Sequence, residues 1–138
     1  MDSEALSQFL TAMPFAAGYG TKIVQADTEV VCVTEWRDCF TGNPLLKAWH
    51  GGIVSGAMEL TGLLATYNAP RSSSYSLLSI NVNYLKPNRG EAALYTSAKV
   101  VRLGKQIVTI ETESWQDSQE SATACALLTF TYKTCGDL

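Results

Sequence analysis

The sequence predicts an α+β fold in which one long hydrophobic helix is wrapped by a curved antiparallel β-sheet. Three observations carry that expectation. Only Gly52–Tyr67 is long enough and periodic enough to be a major helix, and its apolar residues fall on nearly every side. The chain after it reads almost entirely as strand, with apolar and polar residues alternating. Strands also precede the helix, giving the order β-β-α-β-β-β-β, and a helix with no polar face must be covered by the sheet.

Each element has its own signal. Ser3 to Ala12 carries Leu6, Phe9 and Leu10 on one side and has Ser3 as an N-cap candidate, so a short amphipathic helix is expected there. Met13-Pro14-Phe15 and Gly18-Tyr19-Gly20 break it. Thr21–Ala26 and Glu29–Trp36 read as strands, the second through Val30, Val31, Cys32 and Val33. Asp38 to Lys47, with Gly42-Asn43-Pro44, reads as a loop.

The central helix is rich in glycine at Gly51, Gly52, Gly56 and Gly62. A glycine inside a helix costs roughly 1 kcal/mol relative to alanine, so close approach of a sheet or second helix is expected to offset it. Past the helix, Ile80, Val82 and Tyr84 alternate with Ser79, Asn81 and Asn83 in a strand ending at Leu85. Asn88-Arg89-Gly90 turns into Ala92–Leu103, Gly104-Lys105 into Gln106–Trp115, and Asp117–Ser121 into Ala122–Lys133. In the last strand Ala122, Ala124, Ala126, Leu128, Phe130 and Tyr132 form one face, whose small residues suit a sheet curled onto a helix.

With 138 residues the chain is the size of one domain, and no linker, repeat or low-complexity tract divides it. It is 46% hydrophobic and only 17% charged, which excludes disorder. A net charge of −3 without a basic stripe argues against nucleic acid as a partner. The four cysteines (Cys32, Cys39, Cys125, Cys135) show no metal-binding spacing, and a single histidine makes a zinc site a poor expectation, so no metal is expected. Ala48 to Pro70 contains Glu59, His50 and several glycines and is not read as a membrane span. Met1-Asp2-Ser3-Glu4 lacks a secretory pattern, and a cytoplasmic protein with reduced thiols is expected.

Between Lys47 and Arg71, Glu59 is the only charged side chain. An ionised carboxylate in apolar surroundings shifts its pKa or finds a partner. Taken alone it reads most simply as a boundary residue reaching water. His50-Gly51-Gly52 opens the same helix, however. Two glycines let a ligand approach the backbone, and the free N–H groups of a first turn favour developing negative charge. Such donors can polarise a carbonyl and hold its oxyanion. The combination favours a functional site over separate structural roles.

His50-Gly51-Gly52 followed by Glu59 resembles the H-G-G-x-x-x-x-x-x-[DE] signature of hotdog-fold acyl-CoA thioesterases of the phenylacetate-degradation type. Asn81-Val82-Asn83-Tyr84-Leu85-Lys86-Pro87 and Val100-Val101-Arg102-Leu103-Gly104-Lys105 resemble the strands that follow the helix in that family, and Gly42-Asn43-Pro44 is similar to the turn before it. The resemblance covers about Phe15 to Tyr132. It implies hydrolysis of an acyl-CoA thioester without a cofactor. Glu59 would serve as nucleophile or general base, Gly51 or Gly52 as oxyanion donor, and His50 would position the thioester or ease thiolate departure. The family usually has Asn or Gln six residues before the histidine, where this chain has Pro44; Asn43 stands one place away and is the candidate for that role. Lys47 stands where many relatives have glycine. The substrate channel would be lined by Tyr84, Leu85, Lys86 and Pro87, by Arg102, Gly104, Lys105 and Gln106, and by Leu77 nearby.

At 1.5 Å per residue, Glu59 lies about 12 Å along the helix from Gly51. Reacting groups need to stand about 3–3.5 Å apart, so two such distant groups serve one carbonyl only if they come from different subunits. A homodimer with sites at the subunit interface is therefore expected, and the family also forms dimers of dimers. Coenzyme A phosphates would call on Arg102, Lys105 and Lys86. Two alternatives keep the fold: an acyl-CoA dehydratase or hydratase, whose H-F-P-G pattern is absent, and a non-catalytic acyl-CoA-binding protein, which has no need of Glu59.

Overall fold

The long apolar segment forms one uninterrupted helix, α3 (Gly51–Asn68), and the remaining elements are arranged around it. The structure is a computed structural model that describes residues 2–69 and 73–134; Pro70, Arg71, Cys135 and the side chain of Tyr132 lie outside the described residues. Two strands precede α3, β1 (Lys22–Ala26) and β2 (Val30–Thr34), together with a small separate hairpin, β3 (Thr41–Asn43) and β4 (Ala48–Trp49). Four strands follow: β5 (Ser73–Tyr84), β6 (Leu94–Leu103), β7 (Ile107–Trp115) and β8 (Ala124–Thr134).

The six long strands form one antiparallel sheet in the order β1-β2-β6-β7-β8-β5. Its ladders are interrupted at Ile23/Gln25, Leu77/Ser79 and Val100/Arg102. Bulges of this kind bend a strand and increase its twist, which lets the sheet curl. Period-two alternation then points Leu94 and Ala98 of β6, Val108 and Ile110 of β7, and Ala124, Leu128 and Phe130 of β8 at the helix, all buried. They pack against Val54, Met58, Leu60 and Leu64. This is the expected wrapped-helix architecture.

The glycines of α3 are explained by close approach. A Cβ at Gly62 would stand 3.0 Å from a methyl of Leu128 on β8, so that turn of helix lies flat on the sheet. On the opposite side, a Cβ at Gly56 would collide with the Tyr19 hydroxyl.

The boundaries of most elements differ from expectation by one or two residues, the usual fraying of helix and strand ends. Four differences have clearer causes. The first helix, α1 (Ser3–Ala12), is capped by Asp2 rather than Ser3, because the Asp2 carboxylate accepts the Ala5 N–H at 2.7 Å. Met13-Pro14-Phe15 does not end helical structure; Pro14 takes the first position of a second helix, α2 (Pro14–Tyr19), where proline loses no hydrogen bond. The segment read as a loop holds a 3-10 turn (Asp38–Phe40) and the β3–β4 hairpin. The strand β5 begins at Ser73 instead of Ser79, because pairing with β8 imposes extended structure on serines of low strand propensity.

The helix α3 is also less evenly buried than its composition suggests. Gly56, Glu59, Leu63 and Tyr67 form a half-buried stripe that continues to exposed Gly52. Phe9 of α1 covers one end of it, its ring 4.4 Å from that of Tyr67. Besides this stripe, the outer edge of β5 is open: among the described residues β5 pairs with β8 alone, as β1 at the other end of the sheet pairs with β2 alone. Among the described residues, no helix is long and apolar enough to cross a membrane.

Candidate active site

The start of α3 is held from three sides. His50 is its N-cap, with extended backbone, and its N–H donates to the Phe40 carbonyl at 2.8 Å. The His50 ring Nδ1 accepts the Gly52 N–H at 2.8 Å. With Nδ1 acting as acceptor, Nε2 is the ring's donor position. The same hydrogen bond occupies one of the two glycine donors. The Gly51 N–H, by contrast, makes no hydrogen bond among the described residues. The Gly51 carbonyl accepts the Tyr84 hydroxyl at 2.7 Å, and the Tyr84 ring lies close enough that a Cβ at Gly51 would touch it at 3.2 Å. Tyr84, Leu85, Lys86 and Pro87 thus stand beside the helix N-terminus, lining with Trp49, Gly51, Val54 and Asn88 a cleft of about 340 Å³.

Glu59 is eight residues further along the same straight helix. It is half-buried and has no ion pair or hydrogen bond among the described residues. Burial raises its pKa above the ordinary carboxylate value of 4.5. The rise of an α-helix puts the Gly51 N–H and the Glu59 backbone about 12 Å apart, so the structure does not bring the two together within one chain. Cys32 is no alternative nucleophile: it is fully buried, and burial pushes its thiol up to about 11. Among the described residues, no group of three or more His, Cys, Asp or Glu side chains could hold a metal ion.

The other sequence candidates fall elsewhere. Asn43 is exposed at the β3–β4 tip, where its side-chain oxygen accepts the Leu45 N–H at 3.0 Å. It shapes that turn and stands outside the cleft. Lys47 adopts φ 46°, the left-handed conformation that glycine takes without strain. Its ammonium pairs with Glu91. Arg102, Gly104, Lys105 and Gln106 line a separate opening of about 440 Å³ at the β6–β7 turn. Leu103 in that turn shares a depression with Ala65, Asn68 and Ala69, so this region sits by the C-terminal end of α3, away from Gly51. Leu77 is half-buried against the core. Lys86 is hydrogen-bonded to Ser121.

The profile of the Thioesterase superfamily matches residues 46–123, more than half of the chain, from before His50 to the start of β8. The chain belongs to the thioesterase superfamily. A Ralstonia eutropha protein related to phenylacetic acid degradation, provisionally named a thioesterase, has a solved structure that matches with a TM-score of 0.76 and 25% identity, over 91% of this chain and 98% of that one. The Escherichia coli PaaI protein of the phenylacetic acid degradation operon shares the fold, with a TM-score of 0.82 at 17% identity over 95% of both chains. A Halobacterium salinarum protein carrying a provisional esterase name is 36% identical over 61 residues, 42% of this chain and 39% of that protein, so the match spans about two-fifths of this relative. Family membership points to thioester hydrolysis as the reaction class, on a hotdog fold.

In this member of the superfamily two features of the site region were not legible in sequence motifs. Asn88 is buried, with 4% of its surface exposed, and its side-chain oxygen has no hydrogen-bond partner among the described residues; the sequence marks it only as a turn residue. Tyr19, from α2, reaches the α3 turn just before Glu59. The one signal for it was Gly56, a helix glycine that required something to pack against it.

Proposed function

We propose that the chain hydrolyses acyl-CoA thioesters at two equivalent sites in a homodimer, each built from Glu59 of one subunit and the Gly51 helix end of the other. The carrying observation is an unpaired, half-buried carboxylate and an unused backbone donor on one straight helix, too far apart to act on the same carbonyl in cis. The half-buried stripe on α3 and the outer edge of the long β5 strand, which among the described residues forms a ladder with β8 alone, supply surfaces for a second copy, since a long sheet edge is a ready template for another strand. A second copy also offers a way to bring an Arg102–Gln106 turn near a Gly51 helix end, where the cations would meet coenzyme A phosphates.

In this reading the thioester carbonyl oxygen points at the Gly51 N–H, where the helix N-terminus favours the charge it gains. Ionised Glu59 either attacks the carbonyl carbon, giving a mixed anhydride that water then cleaves, or removes a proton from water that attacks instead. In both routes the carbon–sulfur bond breaks, coenzyme A leaves as thiolate and takes up a proton, and the acid is released. His50, with Nδ1 engaged by the Gly52 N–H, offers Nε2–H as a hydrogen-bond donor to the sulfur or carbonyl. Tyr84 steadies Gly51 from the other side. Free thiols at Cys32, Cys39 and Cys125 suit a cytoplasmic setting.

The test is a panel of straight-chain, branched and phenylacetyl-CoA thioesters, with released thiol measured by a chromogenic disulfide. Turnover of at least one member, absent in Glu59→Gln, is the expected result. A folded protein that binds these compounds and releases no thiol is a binding protein, and the hydrolase reading is then wrong.

A further inference from the structure

A buried phenol brought to the catalytic turn by a different element is left without a role by the mechanism above. Tyr19 ends α2 and is only 8% exposed. Its ring is fixed between Phe15 and Phe40, at centroid distances of 4.8 and 5.7 Å. It is aimed at α3, where a Cβ on Gly56 would collide with the hydroxyl and stand 3.0 Å from the ring carbon bearing it. Only glycine at position 56 leaves the phenol where it is.

Gly56 is one turn before Glu59. Helical side chains lean toward the N-terminus, so a residue covers the turn preceding its own Cα, and positions three apart have Cβ atoms about 5–6 Å from each other. The Glu59 side chain therefore leans over the turn that receives the Tyr19 hydroxyl. That hydroxyl makes no hydrogen bond among the described residues, although a buried tyrosine ordinarily finds a partner.

We propose that Tyr19 is a positioning residue for Glu59: its phenol O–H, unbonded among the described residues of the free chain, is the donor that the carboxylate takes up in its reacting orientation, with Gly56 retained to admit the phenol. The inference rests on the catalytic reading of Glu59. The phenol also feels that carboxylate: its pKa is raised, first by burial and then by the charge of Glu59. A phenol that keeps its proton remains a donor. Phe15 and Phe40 supply rigidity, so the donor is preorganised rather than ordered on substrate arrival.

The experiment compares Tyr19→Phe, Gly56→Ala and the double variant with Glu59→Gln, using the acyl-CoA thioester turned over fastest in the panel. Loss of one hydrogen bond to a charged group lowers kcat roughly ten-fold in Tyr19→Phe, with KM unchanged, because the ring and its packing remain. Gly56→Ala displaces the same hydroxyl, and the double variant is expected to be no slower than Gly56→Ala alone. Wild-type kcat in Tyr19→Phe overturns the assignment. So does a rise confined to KM, which makes Tyr19 a wall of the acyl pocket, or fully multiplicative losses in the double variant. An inactive Glu59→Gln beside an unaffected Tyr19→Phe removes only this inference; an active Glu59→Gln removes the catalytic reading and this inference with it.

Discussion

Glu59 occupies a half-buried position with no ion pair among the described residues, and burial sets the direction in which its titration moves. Its pKa is raised in the folded chain, which means the native state holds that proton more tightly than the unfolded state. Between the ordinary carboxylate value and the raised one, the native state binds more protons, and stability falls as pH rises through that window. Glu59→Gln removes the penalty. Thermal melts at neutral pH are expected to show the variant as stable as wild type or more so, while turnover drops by about 10² or more. If the reaction uses ionised Glu59, the acid limb of the wild-type kcat/KM profile, which reports the free enzyme, is expected above 4.5, the value that burial raises. A limb at or below that value would mean the group titrating in the reaction is another one. Glu59 was legible in sequence because it is the only charge in an apolar helix. The turn-forming role of Asn43 was not, because a side chain bonding its own loop looks the same in sequence as one aimed at a substrate.

At the scale of elements, the start of α3 performs the carbonyl-binding part of the account. Gly51→Pro is the sharp test there, since proline suits the first position of a helix and removes only the backbone donor. His50 already has φ −63° and ψ 132°, a conformation compatible with a following proline. The Tyr84 ring must give by a few tenths of an ångström. The expected result is a 10²- to 10³-fold loss of kcat with an unchanged circular dichroism spectrum, comparable to losing an oxyanion donor elsewhere. Unimpaired turnover would place the oxyanion on another group. The α3 helix and the β6–β8 meander could be read directly, because their periodicities of 3.6 and 2 are long and regular. The short helix α2 could not: Pro14 and Gly18 punctuate its six residues, and what holds them helical is packing of Ala16 and Tyr19 against the core.

At the scale of the whole molecule, the two cationic positions and the Gly51 cleft open at different ends of α3. If Arg102 and Lys105 hold coenzyme A phosphates, alanine substitutions raise KM for acyl-CoA far more than for a short acyl thioester lacking the nucleotide. Each exposed contact contributes on the order of 1 kcal/mol, fading at high salt. Equal effects on both substrates would remove these residues from coenzyme A binding. Sequence could place these segments on strands and turns but not at opposite ends of a helix, since that arrangement depends on β5 crossing to the far edge of the sheet. The claim that joins all of this is that Glu59 of one subunit works with Gly51 of the other. Glu59→Gln and Gly51→Pro, each inactive alone, are unfolded and refolded together, and dimer formation is checked by size. Random pairing makes half of the dimers mixed, and each mixed dimer carries one doubly altered site and one intact site. Recovery to about a quarter of wild-type activity is expected. Folded mixed dimers with no activity would mean that each site lies within a single chain, contradicting the shared arrangement.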